Sequence, residues 1–444
     1  MSTRPLGQPV TRRHVLGLAA SIGLAGALSG CGSNGGSTPG ASSGSASTYA
    51  AAPTDLQAQL TYGLWDQTQV KAVKANLAEF AKTYPGIKVA VNVTPYADYW
   101  TKLQTQASSD TMPDLLWMNG PNFQLYAANG KIAPITGAVS AGAIKPADYP
   151  AALNDLYTLD GVQYGVPKDF DTIGVWVNQA IFSQAGVALP KAGWTWDDFQ
   201  TTASQISDKL KSKGIYGAAG GMDGQTTYYN TILQAGGEVI NADGTASGFD
   251  NPASEQGLEF WHRLIASGGS PNMKQLTDTP ADQWFVSGRL AMYWGGSWAR
   301  TEIADAPVAK DVTVVPLPVG TQQATVIHGV SNVVAASSKN QQAAQTLQVF
   351  LAGKEAQQQQ GDMGAVIPAF TGTQQAFASS MKGVDLSVFL DAVSYAKPFP
   401  VSKNSAAWNA LETSMLPDAF DGSKPVAEVA GDLATKMNAL LAKE

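Results

Sequence analysis

"LQAQLTYGLWDQTQVKAVKANLAEFAKTYPGIKVAVNV", residues 56–93, changes its apolar period twice. Leu60, Tyr62 and Leu64 alternate, which predicts a strand ending at Trp65-Asp66. Val70, Val73, Leu77 and Phe80 then recur at helical spacing, with Lys71, Lys74 and Lys82 elsewhere on the surface. "YPG" breaks that helix, and Ile87, Val89, Val91 and Val93 alternate as a second strand. Another helical stretch near 97–108 leads to "DLLWM", a short apolar run suited to a buried parallel strand. Strand–helix–strand–helix–strand predicts a doubly wound α/β lobe. Ligands of such lobes sit beyond the carboxyl ends of the strands. Here that means Trp65-Asp66-Gln67 and Asn119-Gly120-Pro121-Asn122.

Upstream, the chain reads as an address and a tether. Arg12 and Arg13 precede an uncharged run from Val15 to Gly30, and Cys31 is the only cysteine. As a helix that run rises about 24 Å, short of the roughly 30 Å hydrocarbon core, so residues 1–30 read as an export signal. The arginine pair resembles a twin-arginine leader, and "LSGC" resembles a lipobox in which Cys31 is lipidated. Residues 31–56 are Gly/Ser-rich, a flexible tether reaching roughly 25–30 Å. Removing the leader leaves 25 basic against 35 acidic residues, a net charge of −10. That acidity gives no electrostatic case for nucleic acid. A single cysteine forms no intrachain disulfide, so core burial must hold the fold.

The middle of the chain is richer in helix. "TWDDF" offers a Thr195 cap with Asp198 three residues on, and Phe199, Ala203, Ile206 and Leu210 line one face. "GIYGAAGG" (214–221) reads as a strand running into a loop. Helices are expected from Thr227, over 254–267 and over 280–287. Strands return in "VTVVPLP" and "ATVIHGVSNVVAAS". A helix with Ala344, Leu347 and Leu351 inward follows, and a last one spans 425–442.

Catalytic constellations are sparse. Only His262 and His328 remain after the leader, with no HExxH, CxxC, GxSxG, Walker A lysine or GxGxxG. The reading is therefore a non-enzyme needing no cofactor or metal. A facing pair of acids, as in a glycosidase, stays open as an alternative.

"GVPKDFDTIGVWVNQAIFSQAGVALPKAGWTWDDF", residues 165–199, resembles the most recognisable stretch of the extracellular sugar-binding proteins of bacterial ABC importers. "MPDLLWMNG", "FVSGRLAMYWGGSW" and "HGVSNVVAASSKNQQAAQTLQVFLAG" agree with that family in order and spacing, and the likeness runs over 57–444. The resemblance implies a type II periplasmic-binding-protein fold: two α/β lobes, each a sheet flanked by helices, with a ligand cleft between them. It implies lobe 1 at 57–136 plus 317–366 and lobe 2 at 137–316 plus 367–444. It further implies closure over a carbohydrate and delivery to ABC permease subunits by a monomer anchored to the outer face of the cell membrane. A surface carbohydrate-active enzyme, a same-fold receptor for another solute and a purely structural lipoprotein are the competing readings.

The site expectations rest on that resemblance. Pyranose rings carry an apolar face that an indole complements, and their hydroxyls need partners once desolvated. Trp298 matches the family's sugar-stacking tryptophan, with Gly295 and Gly296 expected to turn the backbone sharply. Trp294 is a candidate that a core role explains equally well. Trp408 matches a second aromatic position. Trp65 and Asp66 are placed to offer a ring and a carboxylate. Asn119 and Asn122 are amide candidates with an equally good turn role. Asp169 and Asp171 are hydroxyl acceptors or loop caps. Asp223, Tyr228 and Tyr229 come from a loop where the family adds contacts, and His328 is a donor at a strand start. Trp117, Trp176, Trp194 and Trp196 are assigned to packing.

Overall fold

The computed structural model describes residues 48–444, and the leader, the lipidation at Cys31 and most of the tether lie outside the described residues. β1 (Ala58–Leu64), α1 (Val70–Thr83), β2 (Ile87–Val93), α2 (Tyr96–Ser108), β3 (Leu115–Asn119) and α3 (Gly120–Ala128) follow the predicted order. β1 lies parallel to both β2 and β3. All five residues of β3 are buried. Leu115 and Trp117 join one core, against Leu347 and Leu351, while Leu116 and Met118 join the other, against Phe123. A strand covered on both faces is apolar throughout, hence the unbroken "LLWM".

The chain then stays with this lobe longer than expected. Tyr149 donates to the Ala352 carbonyl and Tyr157 to the Met118 and Gly329 carbonyls. β4 (Val166–Pro167) still belongs to the first sheet. The crossing comes only at β5 (Asp169–Phe170), before β6 (Ile173–Asn178), so the boundary expected at 137 falls early.

Lobe 2 packs helices on a short antiparallel sheet. α4 (Trp196–Leu210) starts at the predicted capping box of Thr195 and Asp198 and buries Phe199, Ala203, Ile206 and Leu210. α5 (Tyr228–Ala235), α6 (Pro252–Ala266), α7 (Ala281–Val286), β7 (Met292–Gly296), α8 (Ala299–Asp305) and β8 (Val312–Val315) follow, with β8 and β7 flanking β6. "GIYGAAGG" forms no strand, only a bridge from Tyr216 to Leu290. A Cβ at Gly217 would meet the Ala203 carbonyl at 2.1 Å, so this segment runs tight under α4, bonding through its backbone to residues 289–292 at the start of β7.

Residues 316–322 also remain on lobe 2, where Trp194 donates to the Pro316 carbonyl and Gln322 to that of Gln234. β9 (Thr325–Ile327) and β10 (Val330–Val334) make the return crossing, and β10 completes the order β2-β1-β3-β10-β4. α9 (Gln341–Ala352) and α10 (Lys354–Asp362) cover lobe 1. β11 (Ile367–Pro368) pairs with β5, β12 (Ala396–Pro398) pairs with β9, and α11 (Ser405–Phe420) and α12 (Val426–Leu441) finish lobe 2. The crossings are laced together: the Lys168 N–H donates to the Val330 carbonyl and the Asp171 N–H to that of His328, both at 2.8 Å. A Cβ at Gly329 would meet the Asp169 carbonyl at 2.4 Å, so only glycine permits this approach.

Candidate functional site

Trp65 leaves the carboxyl end of β1 and stands in a wreath of rings. Its neighbours are Tyr99 and Trp117 at 5.1 Å and Tyr96 and Trp100 at 5.6 Å between centroids, mostly edge-on. Tyr96, Tyr99 and Trp100 fall at i, i+3 and i+4 on α2, so one helix face carries all three. Each such aromatic pair contributes about 0.5–1.5 kcal/mol beyond area burial and fixes ring orientation. Asn119 caps α3, its Oδ1 accepting from the Asn122 N–H, and its Nδ2 donates to the Tyr96 hydroxyl at 3.3 Å. Tyr96 is nevertheless 53% exposed. Its hydroxyl is nonetheless held by Asn119, and burial pushes that hydroxyl's pKa up. The lobe thus presents a fixed aromatic platform.

The crossing strands form the floor. Lys168 is buried over the Trp117 ring, donating to Gln69 Oε1 at 3.0 Å and to Asp169. Asp169 also accepts from the Val330 N–H at 2.7 Å, so both its oxygens lock the crossings together rather than face a ligand. Asp171 differs. One oxygen accepts from Gln225 Nε2 at 2.6 Å, and the other lies 4.0 Å from His328 Nδ1. Burial, then the charge of Asp169, holds the Asp171 carboxyl well above the usual carboxylate range. His328 Nε2 accepts from the Gly120 N–H at 3.1 Å, so Nδ1 carries the ring proton. Burial lowers His328 to about 3, keeping the imidazole neutral.

Lobe 2 carries the remaining candidates. Trp298 is half-buried just ahead of α8. The preceding glycines do not turn the chain, because Gly295 and Gly296 pair in β7 with Gly174 and Ile173. Gly296 is required for another reason: a Cβ there would sit 1.8 Å from the Trp298 ring, which lies flat on its backbone. One turn along α8, Glu302 accepts from Gln283 Nε2 at 2.8 Å. Its carboxyl is raised by burial and then by the charges of Asp282 and Asp66. Asp66 belongs to lobe 1, so the walls approach here. The Tyr96 hydroxyl likewise feels Asp223 across the gap. Asp66 and Asp223 spend hydrogen bonds locally, Asp66 on Thr68 and Gln69, Asp223 on Thr226.

Four expected contacts are placed elsewhere. Trp294 is 2% exposed, with Trp261 at 4.9 Å, Phe199 at 5.6 Å and Phe260 at 5.8 Å around it. Strand alternation turns it toward α4 and α6, and both ring faces are covered. Trp408 is wholly buried in α11 and its indole donates to Ser402 Oγ at 2.9 Å. The hydroxyls of Tyr228 and Tyr229 donate to Glu412, at 2.8 Å each to Oε2. Burial pushes Glu412 up to about 8, the two tyrosines and Asn409 holding back part of the rise. Contacts in the structure link Trp65, Asn119, Asn122, Asp171 and His328 through Tyr96 and Gly120, while Trp294, Trp408, Tyr228 and Tyr229 are withdrawn into cores.

Residues 65–358 match the family model of the bacterial extracellular solute-binding proteins. The chain belongs to that family. It is 26% identical over 379 residues to the diacetylchitobiose-binding protein of Streptomyces coelicolor, covering 82% of this chain and 84% of that one. Among solved structures, it resembles an ABC substrate-binding protein from Listeria monocytogenes in complex with cycloalternan. There the TM-score is 0.81 at 24% identity over 87% of this chain and 99% of the other. It also resembles a receptor of Streptomyces glaucescens solved with acarbose, at TM-score 0.77, 21% identity and coverage of 87% and 99%. The fold of this solute-binding protein is the two-lobe type II arrangement of those structures.

Sequence reasoning missed residues of the site and of the core behind it. "YADYW" (96–100) packs three rings into the start of a helix that follows a strand end, a signal that was available for Tyr96 and Trp100. Lys168 was legible as a lone base inside an apolar crossing. Glu412 was not, because its tyrosine partners lie more than 180 residues away.

Proposed function

We propose that this solute-binding protein captures a mono- or oligosaccharide between its lobes and presents it to an ABC permease. One observation carries the reading: a packed aromatic cluster of half-buried Trp65 and exposed Tyr96 at the end of β1, with half-buried Trp298 on the other lobe and unspent polar atoms of Asp171 and His328 on the crossings. Flat apolar faces suit the C–H face of a pyranose, and each stacked ring removes wetted apolar area. A hydroxyl between Asp171 Oδ2 and His328 Nδ1 would donate to the first and accept from the second. The sugar-binding names of its relatives support the same class. Closure is a hinge motion about the laced crossings, bringing Trp298 toward the platform.

Around this core we place the export signal at 1–30, the lipid anchor on Cys31 and the tether, with the protein working as a monomer that leaves its ligand unaltered. Thermal-shift and calorimetric titration of the mature domain against mono- and oligosaccharides tests the reading. A ligand at 100 times its Kd stabilises the fold by about 2.7 kcal/mol. A panel in which no sugar shifts unfolding, while an amino acid or ion does, refutes it. Recovery of a cleaved glycan refutes the non-catalytic part. Cys31→Ala tests the anchor, which fails if membrane partitioning is unchanged.

A further inference from the structure

Lys168 is the one lysine among the described residues that the fold buries, at 2% exposure, so it offers a ligand no surface. Its ammonium has three N–H groups to place. One donates to Gln69 Oε1 at 3.0 Å and one to Asp169 Oδ2, and the face of the Trp117 ring lies 4.2 Å away. Asp169 is closed off in turn, because its Oδ1 accepts from the Val330 N–H at 2.7 Å. Stability alone does not call for this arrangement, since a buried ion pair is often no more stable than well-packed apolar residues of the same volume.

What the lysine does hold is a set of contacts running from the crossings to the end of β1. Buried Gln69, just ahead of α1, is used at both ends of its amide. Its Oε1 accepts from Lys168, and its Nε2 donates to Asp66 Oδ2 at 2.8 Å. Asp66 Oδ1 accepts from the N–H and the hydroxyl of Thr68, each at 2.7 Å, which closes the turn over 65–69. A second arm runs through rings. Trp117, against the ammonium, packs edge-on to Trp65 at 5.1 Å, and its indole donates to the Tyr62 hydroxyl at 2.8 Å. That hydroxyl donates to Asn332 Oδ1 on β10 at 2.6 Å, so the Trp117 ring is itself fixed. Both arms start at Lys168 and end on the Trp65-Asp66 pair.

Resting on the carbohydrate reading, we infer that Lys168 is a positioning residue for ligand capture, fixing the Trp65-Asp66 turn against the strands about which the lobes close. Ring and carboxylate then meet the ligand already oriented, and binding costs less freedom than it would from a loose turn. Without the lysine the turn keeps only its local bonds to Thr68 and Gln69.

Calorimetric titration of the mature protein with diacetylchitobiose, lactose and maltose selects the tightest binder as the probe. Lys168→Met keeps the reach of the side chain and removes its charge. Gln69→Met cuts the path to Asp66 while leaving Lys168 and Asp169 paired. Lys168→Met is expected to weaken probe binding about tenfold, and Gln69→Met severalfold. Added to Asp66→Asn, either change should cost less than about twofold more, because residues of one network are not additive. Added to Trp298→Phe on lobe 2, either should keep its full effect. A lysine that merely held the fold together would act alike in both backgrounds. Wild-type affinity in both methionine variants, or losses that multiply equally in the two backgrounds, overturns the inference and leaves the sugar reading standing. Should Lys168→Met fail to fold, Gln69→Met decides by the same two comparisons. A wild-type protein that binds no sugar of this or the wider panel overturns both.

Discussion

Two tryptophan-rich regions look alike as sequence and do opposite things in the structure. Trp65 with Tyr96 and Trp100 stands at the carboxyl end of a parallel sheet, where helix and strand diverge and leave ring surface uncovered. Trp294 sits one position before the end pair of an antiparallel strand, under two helices, ringed by Phe199, Phe260 and Trp261. Aromatic density does not separate them. Topological position does, because only the first lies beyond the strands where a lobe meets its partner.

The comparison breaks most readily at Trp294. Trp294→Ala should cost about 3–5 kcal/mol, since it empties a packed aromatic core. Denaturant unfolding checks this, and a variant that melts normally but loses ligand would put Trp294 in the site after all. Trp408→Ala should behave the same way. Next in size, Trp298→Ala should weaken sugar binding by one to two orders of magnitude while the empty protein's melting temperature barely moves. If the empty protein unfolds several degrees earlier, that ring belongs with Trp294. Tyr96→Ala should lower affinity less, about tenfold, because Trp65 remains to carry the stack.

The smallest effect lies in the pH dependence of the empty fold. Glu412 titrates near 8 in the fold against an ordinary 4.5, so the folded state holds more protons between those values and stability falls as pH rises through them. His328 titrates near 3 against 6.5, so the unfolded state takes up protons first and stability is lost as pH falls below 6.5. The two oppose each other from 4.5 to 6.5. Above 6.5 the Glu412 slope stands unopposed by His328, and Glu412→Gln should flatten it. A thermal-unfolding series across pH 5–9 checks the sign.

Much of the architecture was legible because it follows from period and capping. The alternation of Leu60, Tyr62 and Leu64, the Thr195–Asp198 box and the run 115–118 each fix a local structure without help from afar. What could not be read is set by contacts distant in sequence. The lobe boundary near 168 depends on β4 finding β10, some 165 residues away. The core or cleft role of a tryptophan depends on which helices cover its strand, as Trp298 and Trp294 illustrate four residues apart. Asp169 and Asp171 sit two residues apart on one crossing, and only the bonds from Lys168 and Val330 show that both oxygens of the first are spent, whereas the second spends one on Gln225.

One titration bears on the whole account most directly. The tightest-binding sugar of the panel would be titrated calorimetrically into the wild-type protein and into Trp65→Ala and Trp298→Ala, with the unfolding temperature of each ligand-free variant recorded alongside. Loss of binding in both variants with unfolding temperatures near wild type is the predicted outcome. Full affinity in both, with the ligand held by residues elsewhere, would contradict it.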